Sequence, residues 1–263
     1  MDQKKIFFFD IDGTIYSPSL KKISKNVKNA IKKTMQKGHL CFVSTGRPYA
    51  YIDSDIKDIG FDGYILASGS HIQFRNTDIK INPIESHIVK KLFQFLKNNQ
   101  IEYIAHTPSG SYMHQIFIAE SKYYKKNEKF LHISDDTIEK ENIDNIVKIE
   151  IHYNNKDNFN LLKSFFDKLS YEIYEEISSI DFFQKGNSKA SAIQDILNIT
   201  DHCVEDTYCF GDGENDIEMF GVVAYSIAMD NAIDELKNIA KDICDSVDED
   251  GVAYKLQELF QLY

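Results

Sequence analysis

Positive charge is in short supply in this chain. Lys and Arg number 30 against 41 Asp and Glu, a formal net charge of −11 over 263 residues. Phosphate backbones and anionic lipids attract basic surfaces, so this balance argues against a general nucleic-acid or membrane-surface binder. A small anionic substrate stays open, because a bound metal ion reverses the field locally. Cysteine is sparse as well. Cys41, Cys203, Cys209 and Cys244 are scattered without a CxxC pair, so the expectation is reduced, mostly buried thiols in a cytoplasmic protein. The eight histidines form no HxxxH spacing, which argues against a zinc site. No stretch approaches a membrane span. The apolar run near Met1 is too short for a secretory leader and is broken by Asp10. Neither a Walker GxxxxGK[ST] nor a GxGxxG motif occurs.

The chain does contain buried-strand runs in a regular rhythm. Lys5–Ile11 reads as a strand whose apolar residues are continuous rather than alternating, as in a parallel strand covered on both faces. Ser24–Lys37 carries Val27, Ile31 and Met35 at helical spacing, with Gly38 as a stop. His39–Ser44 reads as a second strand, Pro48–Ile59 as a helix with Pro in its first turn, and Gly63–Ala67 as a third strand. This β-α-β-α-β order predicts an α/β fold around a doubly wound parallel sheet.

The rhythm then changes. His71–Phe74 and Ile79–Asn82 suggest a hairpin. Ile84–Asn98 reads as a helix and Ile101–His106 as a strand. Val147–Tyr153 alternates, predicting an antiparallel strand with one wet face. Asn158–Leu169 reads as a helix, followed by strands at Tyr171–Glu175 and Ser179–Phe183. The parallel pattern resumes with a helix at Ser188–Leu197, strands at Thr207–Gly211 and Val222–Ala228, and helices at Ile233–Ala240 and Val252–Leu262. The acidic run Asp245–Gly251 reads as a solvated loop. The expected division is a core of residues 1–82 and 186–263 with an inserted α+β domain at 83–185.

The first strand runs into "DIDGT". Asp10 emerges at the carboxyl edge of the sheet, where open α/β folds bind ligands. Positions i and i+2 share a strand face, so Asp10 and Asp12 can turn toward one site, and Gly13 permits a sharp turn. Two close carboxylates repel, and a shared proton or a bound cation offsets that repulsion. The plain alternative is an Asp-Gly turn. A calcium loop fails on spacing: counted from Asp10, Ile15 is sixth where glycine is needed and Lys21 twelfth where glutamate is needed. "CFGDGENDIEMF" at Cys209–Phe220 repeats the design and fails the same count, with Ile217 sixth and Val223 twelfth. "FVSTGRP" at Phe42–Pro48 is a third strand-end turn. "GNSKASAI" at Gly186–Ile193 puts Lys189 in the first turn of a helix, where the plain reading is a solvent-facing lysine.

Taken in order, four motifs resemble those of the haloacid dehalogenase superfamily, and within it the Cof-type phosphatases. They are Asp10-Ile11-Asp12-Gly13-Thr14, Thr45-Gly46-Arg47-Pro48, Lys189, and Gly211-Asp212-Gly213-Glu214-Asn215-Asp216. "IAMDNAIDELK" at Ile227–Lys237 and "DEDGVAYKL" at Asp248–Leu256 are similar to the family's tail, and the insertion is similar to its α/β cap. The chain departs in having Ser68-Gly69-Ser70 where Asn-Gly-Ala is usual, and Ala190 where glycine follows the motif lysine.

The resemblance implies Mg²⁺-dependent hydrolysis of small phosphomonoesters, such as sugar phosphates, through an aspartyl-phosphate. Asp10 is then the nucleophile and Asp12 the general acid and base. Asp10 and Asp212 supply carboxylates to Mg²⁺ and Asp12 its backbone carbonyl, with Asp216 orienting the ligands. Thr45, Gly46, Lys189 and Asn215 are the expected phosphate contacts, Asn215 alternatively holding Lys189. A helix N-cap is the alternative for Asp216, and Arg47 reads as a structural ion-pair former. Tyr103, His106, Tyr112 and His114 are candidate substrate contacts whose plainer reading is strand and loop surface. Lys122–Lys129 reads as a solvated helix face. The rival functions are a phosphomutase of the same superfamily and a sugar-phosphate-binding sensor. The implied partner is a small phosphomonoester, with no nucleic acid, membrane or obligate protein partner.

Overall fold

The computed structural model describes residues 4–113, 131–133, 143–153 and 155–260. In chain order the strands are β1 (Ile6–Phe9), β2 (Leu40–Ser44), β3 (Gly63–Leu66), β4 (His71–Phe74), β5 (Thr77–Ile81), β6 (Glu102–His106), β7 (Ser111–Met113), β8 (Leu131–Ile133), β9 (Lys148–His152), β10 (Leu169–Tyr174), β11 (Ser179–Gln184), β12 (Thr207–Gly211), β13 (Tyr225–Met229) and β14 (Asp242–Cys244). The helices used below are α1 (Lys25–Gln36), α2 (Ser54–Lys57), α3 (Ser86–Asn98), α4 (Lys156–Leu162), α5 (Lys189–Thr200), α6 (Ile217–Phe220), α7 (Asp234–Ile239) and α8 (Gly251–Phe260). Among the described residues no helix is long and apolar enough to cross a membrane.

The chain forms two compact units. Met1–Gly46, Ile52–Ile79 and Ser188–Tyr263 make the first, and Arg47–Tyr51 with Lys80–Asn187 the second. The first is built on a sheet of order β14-β13-β12-β1-β2-β3-β4-β5. From β14 to β3 the pairings are parallel, and β4 returns antiparallel to β3. β1 lies inside this sheet with every residue buried. Phe7 stacks on Tyr208 and Phe9 on Phe210, while Phe8 meets Phe42. The aromatic run is therefore what a strand covered on both faces requires. Ser24 caps α1 by accepting from the Val27 N–H.

The second unit carries a sheet of order β10-β11-β9-β6-β7-β8, antiparallel except for the β7–β8 pair. Tyr103, Ala105, Ile149, Ile151, Ile180 and Phe182 line one face, packed with Val89, Leu92, Phe93 and Leu96 of α3. The opposite face carries His106, Ser111, Lys148, Glu150 and Asp181. The alternation in β9 predicted that this face is wet, and it is not: His106, Ser111, Lys148 and Asp181 are buried. Ala50 and Tyr51 pack with Ile104, Met113 and Leu131 there, and the Tyr51 ring meets His106 edge-on at 5.8 Å. Lys148 is ion-paired to Asp181, and Ser111 Oγ lies 2.7 Å from His106 Nδ1.

Three expected elements differ, and one strand was not expected. Pro48–Ile59 is not one helix: a 3₁₀ turn at Tyr49–Tyr51 is separated from α2 by Ile52 and by Asp53 in extended conformation. Tyr51 packs within the second unit whereas Ile56 is buried in the first, so tertiary packing overrides the helical spacing. The helix expected at Asn158–Leu169 runs only over α4 and continues as a 3₁₀ turn at Lys163–Phe165, because Leu169 already pairs in β10. The strand expected from Val222 starts at Tyr225. β14, a three-residue edge strand, is too short for periodicity to register.

Candidate active site

All the acidic candidates and Lys189 belong to the first unit. Asp10 follows the last residue of β1 and still donates its N–H to Phe210 O at 3.0 Å. The chain then folds into a tight turn. Ile11 O accepts from the N–H groups of Thr14, Ile15 and Tyr16, and Gly13 N–H donates to Tyr16 O at 2.9 Å. Gly13 adopts φ +85°, and a Cβ there would sit 2.1 Å from Asp212 Oδ2. The glycine is thus needed twice, for its left-handed backbone and for the close approach of a carboxylate. Asp12 leaves the turn exposed, whereas Asp10 is 6% exposed.

β12 pairs beside β1 and delivers Asp212 to the same edge. The Thr14 hydroxyl donates to Asp212 Oδ1 at 2.8 Å. Lys189 opens α5, whose Ser188 N-cap exchanges bonds with Ser191 in a capping box. Its side chain does not face solvent but is buried at 2% exposure. Nζ donates to Asp10 Oδ1 and to Asp216 Oδ1, each at 2.7 Å. Asp216 Oδ2 accepts the Asp212 and Gly213 N–H groups at 3.0 and 3.1 Å. Asp216 occupies the N-cap position of α6 but its side chain makes no cap bond to that helix. It braces Lys189 and the Asp212 loop instead. The holding of Lys189 therefore falls to Asp10 and Asp216, not to Asn215, which is half-buried on the adjacent turn.

The electrostatics follow from burial. It pushes the Asp10 carboxyl well above the usual range, and Asp216 and Asp212 add to the push while Lys189 opposes it. Burial likewise carries Asp212 up to about 7, with Asp216 and Asp12 contributing and the Thr14 hydrogen bond and Lys189 opposing. Burial alone would lower Lys189, but Asp10 and Asp216 outweigh it and hold the ammonium above the ordinary lysine range. Four carboxylates (Asp10, Asp12, Asp212, Asp216) stand against this one ammonium, a cluster that a cation relieves.

The donor set fits a hard divalent ion. One oxygen each from Asp10, Asp212 and Asp216 lie within 4.8 Å of one another. Both Asp216 oxygens are engaged, Asp10 Oδ1 takes Lys189 and Asp212 Oδ1 takes Thr14. Oδ2 of Asp10 and of Asp212 remain for a cation, and oxygen donors are what Mg²⁺ prefers.

The remaining candidates divide. Thr45 lies one residue beyond β2, its N–H bonded to Ile65 O and its carbonyl to the Ser68 N–H. The parallel pairing of β1 with β2 brings Thr45 and Gly46 to the edge that carries Asp10. Arg47 Nη1 donates to Tyr51 O at 3.3 Å within the second unit. Tyr103 is no surface residue but a core one, stacked on Phe93; His106 is fully buried and Tyr112 packs against that core. His114 and Lys122–Lys129 lie outside the described residues. Two contributors escaped the sequence reading, Thr14 and Asn231, whose amide donates to Gly13 O. Both stand in quoted motifs, but hydroxyl and amide side chains in loops carry no periodic signal.

Comparison with known proteins places the whole chain in one family. The family model described as haloacid dehalogenase-like hydrolase matches residues 7–256. YkrA of Bacillus subtilis (strain 168), which carries a candidate-phosphatase name, is 30% identical over 97% of both chains. YitU of the same organism, named a 5-amino-6-(5-phospho-D-ribitylamino)uracil phosphatase, is 25% identical over 96% of each. Among solved structures, a hypothetical protein from Geobacillus kaustophilus HTA426 superimposes with TM-score 0.87 at 25% identity, covering 99% of this chain and 100% of its own. The subclass IIB sugar phosphatase BT4131 superimposes with TM-score 0.85 at 24% identity over 99% and 100%, a likeness of fold. The match spans nearly the whole chain, and this chain belongs to the haloacid dehalogenase-like hydrolases as one of their phosphatases.

Proposed function

We propose that the protein hydrolyses small phosphomonoesters, with Mg²⁺, through an aspartyl-phosphate on Asp10. The observation that carries this reading is the buried bridge from Lys189 to Asp10 and Asp216 beside the Asp212 carboxylate. Asp10 is oriented by Lys189, and its Oδ1 attacks phosphorus as the bond to the leaving oxygen breaks, which leaves Oδ2 for the metal. Asp12, exposed on the turn, gives that oxygen its proton. In the second step Asp12 takes a proton from water, which attacks the acyl-phosphate, and Asp10 and inorganic phosphate are released. Lys189, Thr45, the Gly46 N–H and Asn215 offset charge on the phosphoryl oxygens. Asp10 and Asp212 would hold the metal through carboxylates and Asp12 through its carbonyl. The bound ion supplies charge neutralisation to the transferring group.

The relatives' names support a substrate class. YitU is named for a phosphorylated ribityl compound and BT4131 as a sugar phosphatase, so sugar phosphates and similar phosphorylated polyols are the class to screen. The test is hydrolysis of p-nitrophenyl phosphate with Mg²⁺, followed by chelation. Activity should vanish on chelation and return with Mg²⁺, and Ca²⁺ should support less turnover because its coordination is looser. Full activity after exhaustive chelation overturns the metal assignment. Release of free phosphate without a bisphosphate activator separates a hydrolase from a mutase.

A further inference from the structure

We propose that Asn231 is a positioning residue that fixes the turn bearing Asp12 in its proton-transferring geometry; the inference rests on the role given to Asp12 above. Asn231 follows β13 and touches neither Asp10 nor Lys189 among the contacts of those residues. Its Nδ2 donates to Gly13 O at 2.9 Å, and its Oδ1 accepts the Val247 N–H at 2.8 Å. The next residue, Asp248, accepts from the Ser17 hydroxyl at 2.5 Å and from the Ser19 hydroxyl at 2.8 Å. The segment from Asp12 to Ser17 is therefore tied at both ends to one loop pair, with Asn231 as the link beside Asp12.

The reason such a link matters lies in Gly13. Glycine is the residue whose peptides rotate most freely, and here it sits at φ +85° directly after the acid–base candidate. Tyr16 O holds the Gly13 N–H on one side, and Asn231 holds the Gly13 carbonyl on the other. Without the amide, the Gly13–Thr14 peptide keeps only its 3.2 Å bond from the Thr14 N–H to Ile11 O, and rotation at Gly13 re-aims Asp12. Asp212 is secured separately, since its carbonyl accepts the Ile233 N–H at 3.0 Å, a backbone bond that no side-chain change at 231 removes. Proton transfer by Asp12 and cation holding by Asp212 are therefore separable through this loop.

The test uses Asn231→Ala and Asn231→Asp in the full chain, with p-nitrophenyl phosphate and phenyl phosphate as substrates. The carboxylate of Asn231→Asp still accepts from Val247 but cannot donate to Gly13. A nitrophenolate leaves with little help, whereas a phenolate leans on the general acid. Both variants should lose roughly tenfold in kcat on phenyl phosphate and less than about threefold on p-nitrophenyl phosphate, with KM little changed. Half-activation by Mg²⁺ should shift less than kcat on phenyl phosphate does, because the Asp10 and Asp212 carboxylates stay in place and only the Asp12 carbonyl shares the loosened turn. Equal losses on the two substrates, a wild-type Asn231→Asp, or a shift confined to Mg²⁺ activation would each overturn the proposal. Because Asn231 is exposed, the thermal midpoint should move little; should Asn231→Ala fold poorly, Asn231→Asp decides alone. A wild type that cleaves neither ester overturns the functional reading itself, and the inference with it.

Discussion

Asp10 and Asp12 are two positions apart and live in different solvents. Asp10 is buried against a lysine, while Asp12 faces water. That contrast suits one for attack and the other for exchanging protons with bulk. Asp10→Asn should abolish any covalent intermediate. Asp12→Asn leaves the nucleophile, so p-nitrophenyl phosphate should give a burst of nitrophenol near one equivalent, then slow turnover as the phosphoenzyme accumulates. An alkyl phosphate needs the acid, and its cleavage should fall roughly 10²–10⁴-fold. Rapid quench and intact-protein mass measurement check this; equal losses on both substrates with no phosphorylated protein would make Asp12 structural. At this scale the sequence was informative wherever a strand end met a glycine. The run from Phe7 to Gly13 forces burial and then a turn, and Asp10 must surface between them. It was silent on Asn231, because one amide in a loop is chemically indistinct until its neighbours are known.

The pairing of elements decides what a buried charge is worth. Lys148 of β9 and Asp181 of β11 have side chains only 6% and 2% exposed. Lys148→Met would strand the carboxylate and should cost about 3–5 kcal/mol, whereas adding Asp181→Leu should recover most of it. Urea denaturation of the three proteins checks the claim, and additive losses would refute it. His106, on the neighbouring strand β6, gives a pH dependence. Burial pushes its imidazole below the ordinary 6.5, with Lys148 adding and Glu150 opposing. The folded protein therefore prefers the neutral ring. Its stabilising contribution is complete above about pH 6.5 and is lost as the pH falls from there through the lower folded value. His106→Gln should flatten the decline in urea midpoint between pH 7.5 and 5.5; an unchanged slope would contradict this. Alternation in β9 was legible and gave the strand correctly. The burial of its polar face was not, because a strand's own sequence says nothing of Ala50 and Tyr51, nearly a hundred residues earlier in the chain, which pack on that face.

At the scale of the whole chain, chemistry and insertion are separate in sequence and in packing. Asp10, Asp12, Lys189, Asp212 and Asp216 all belong to the first unit, and Lys80–Asn187 lie in the second with an apolar core of their own. In sequence the five residues lie on either side of residues 83–185, where the strand and helix rhythm changes. Arg47–Tyr51 cluster with the second unit although they directly follow Gly46. The crossing points are tied to each other: Asn82 Nδ2 donates to Asn187 Oδ1 at 2.7 Å, and Glu85 N–H to Gln184 Oε1 at 3.1 Å. A graft of residues 83–185 from a relative should therefore keep Asn82 and Asn187, which close the junction. Every phosphomonoester presents the same phosphoryl group, so the machinery on the first unit cannot by itself discriminate among leaving groups of similar basicity. Discrimination must come from contacts to the rest of the substrate. The chimaera should then change which metabolite is preferred in a phosphatase panel while remaining Mg²⁺-dependent and retaining the Asp12→Asn burst. If preference instead follows the first unit unchanged, with the graft folded and active, specificity resides on the strand edge that carries Asp10, and residues 83–185 serve another purpose.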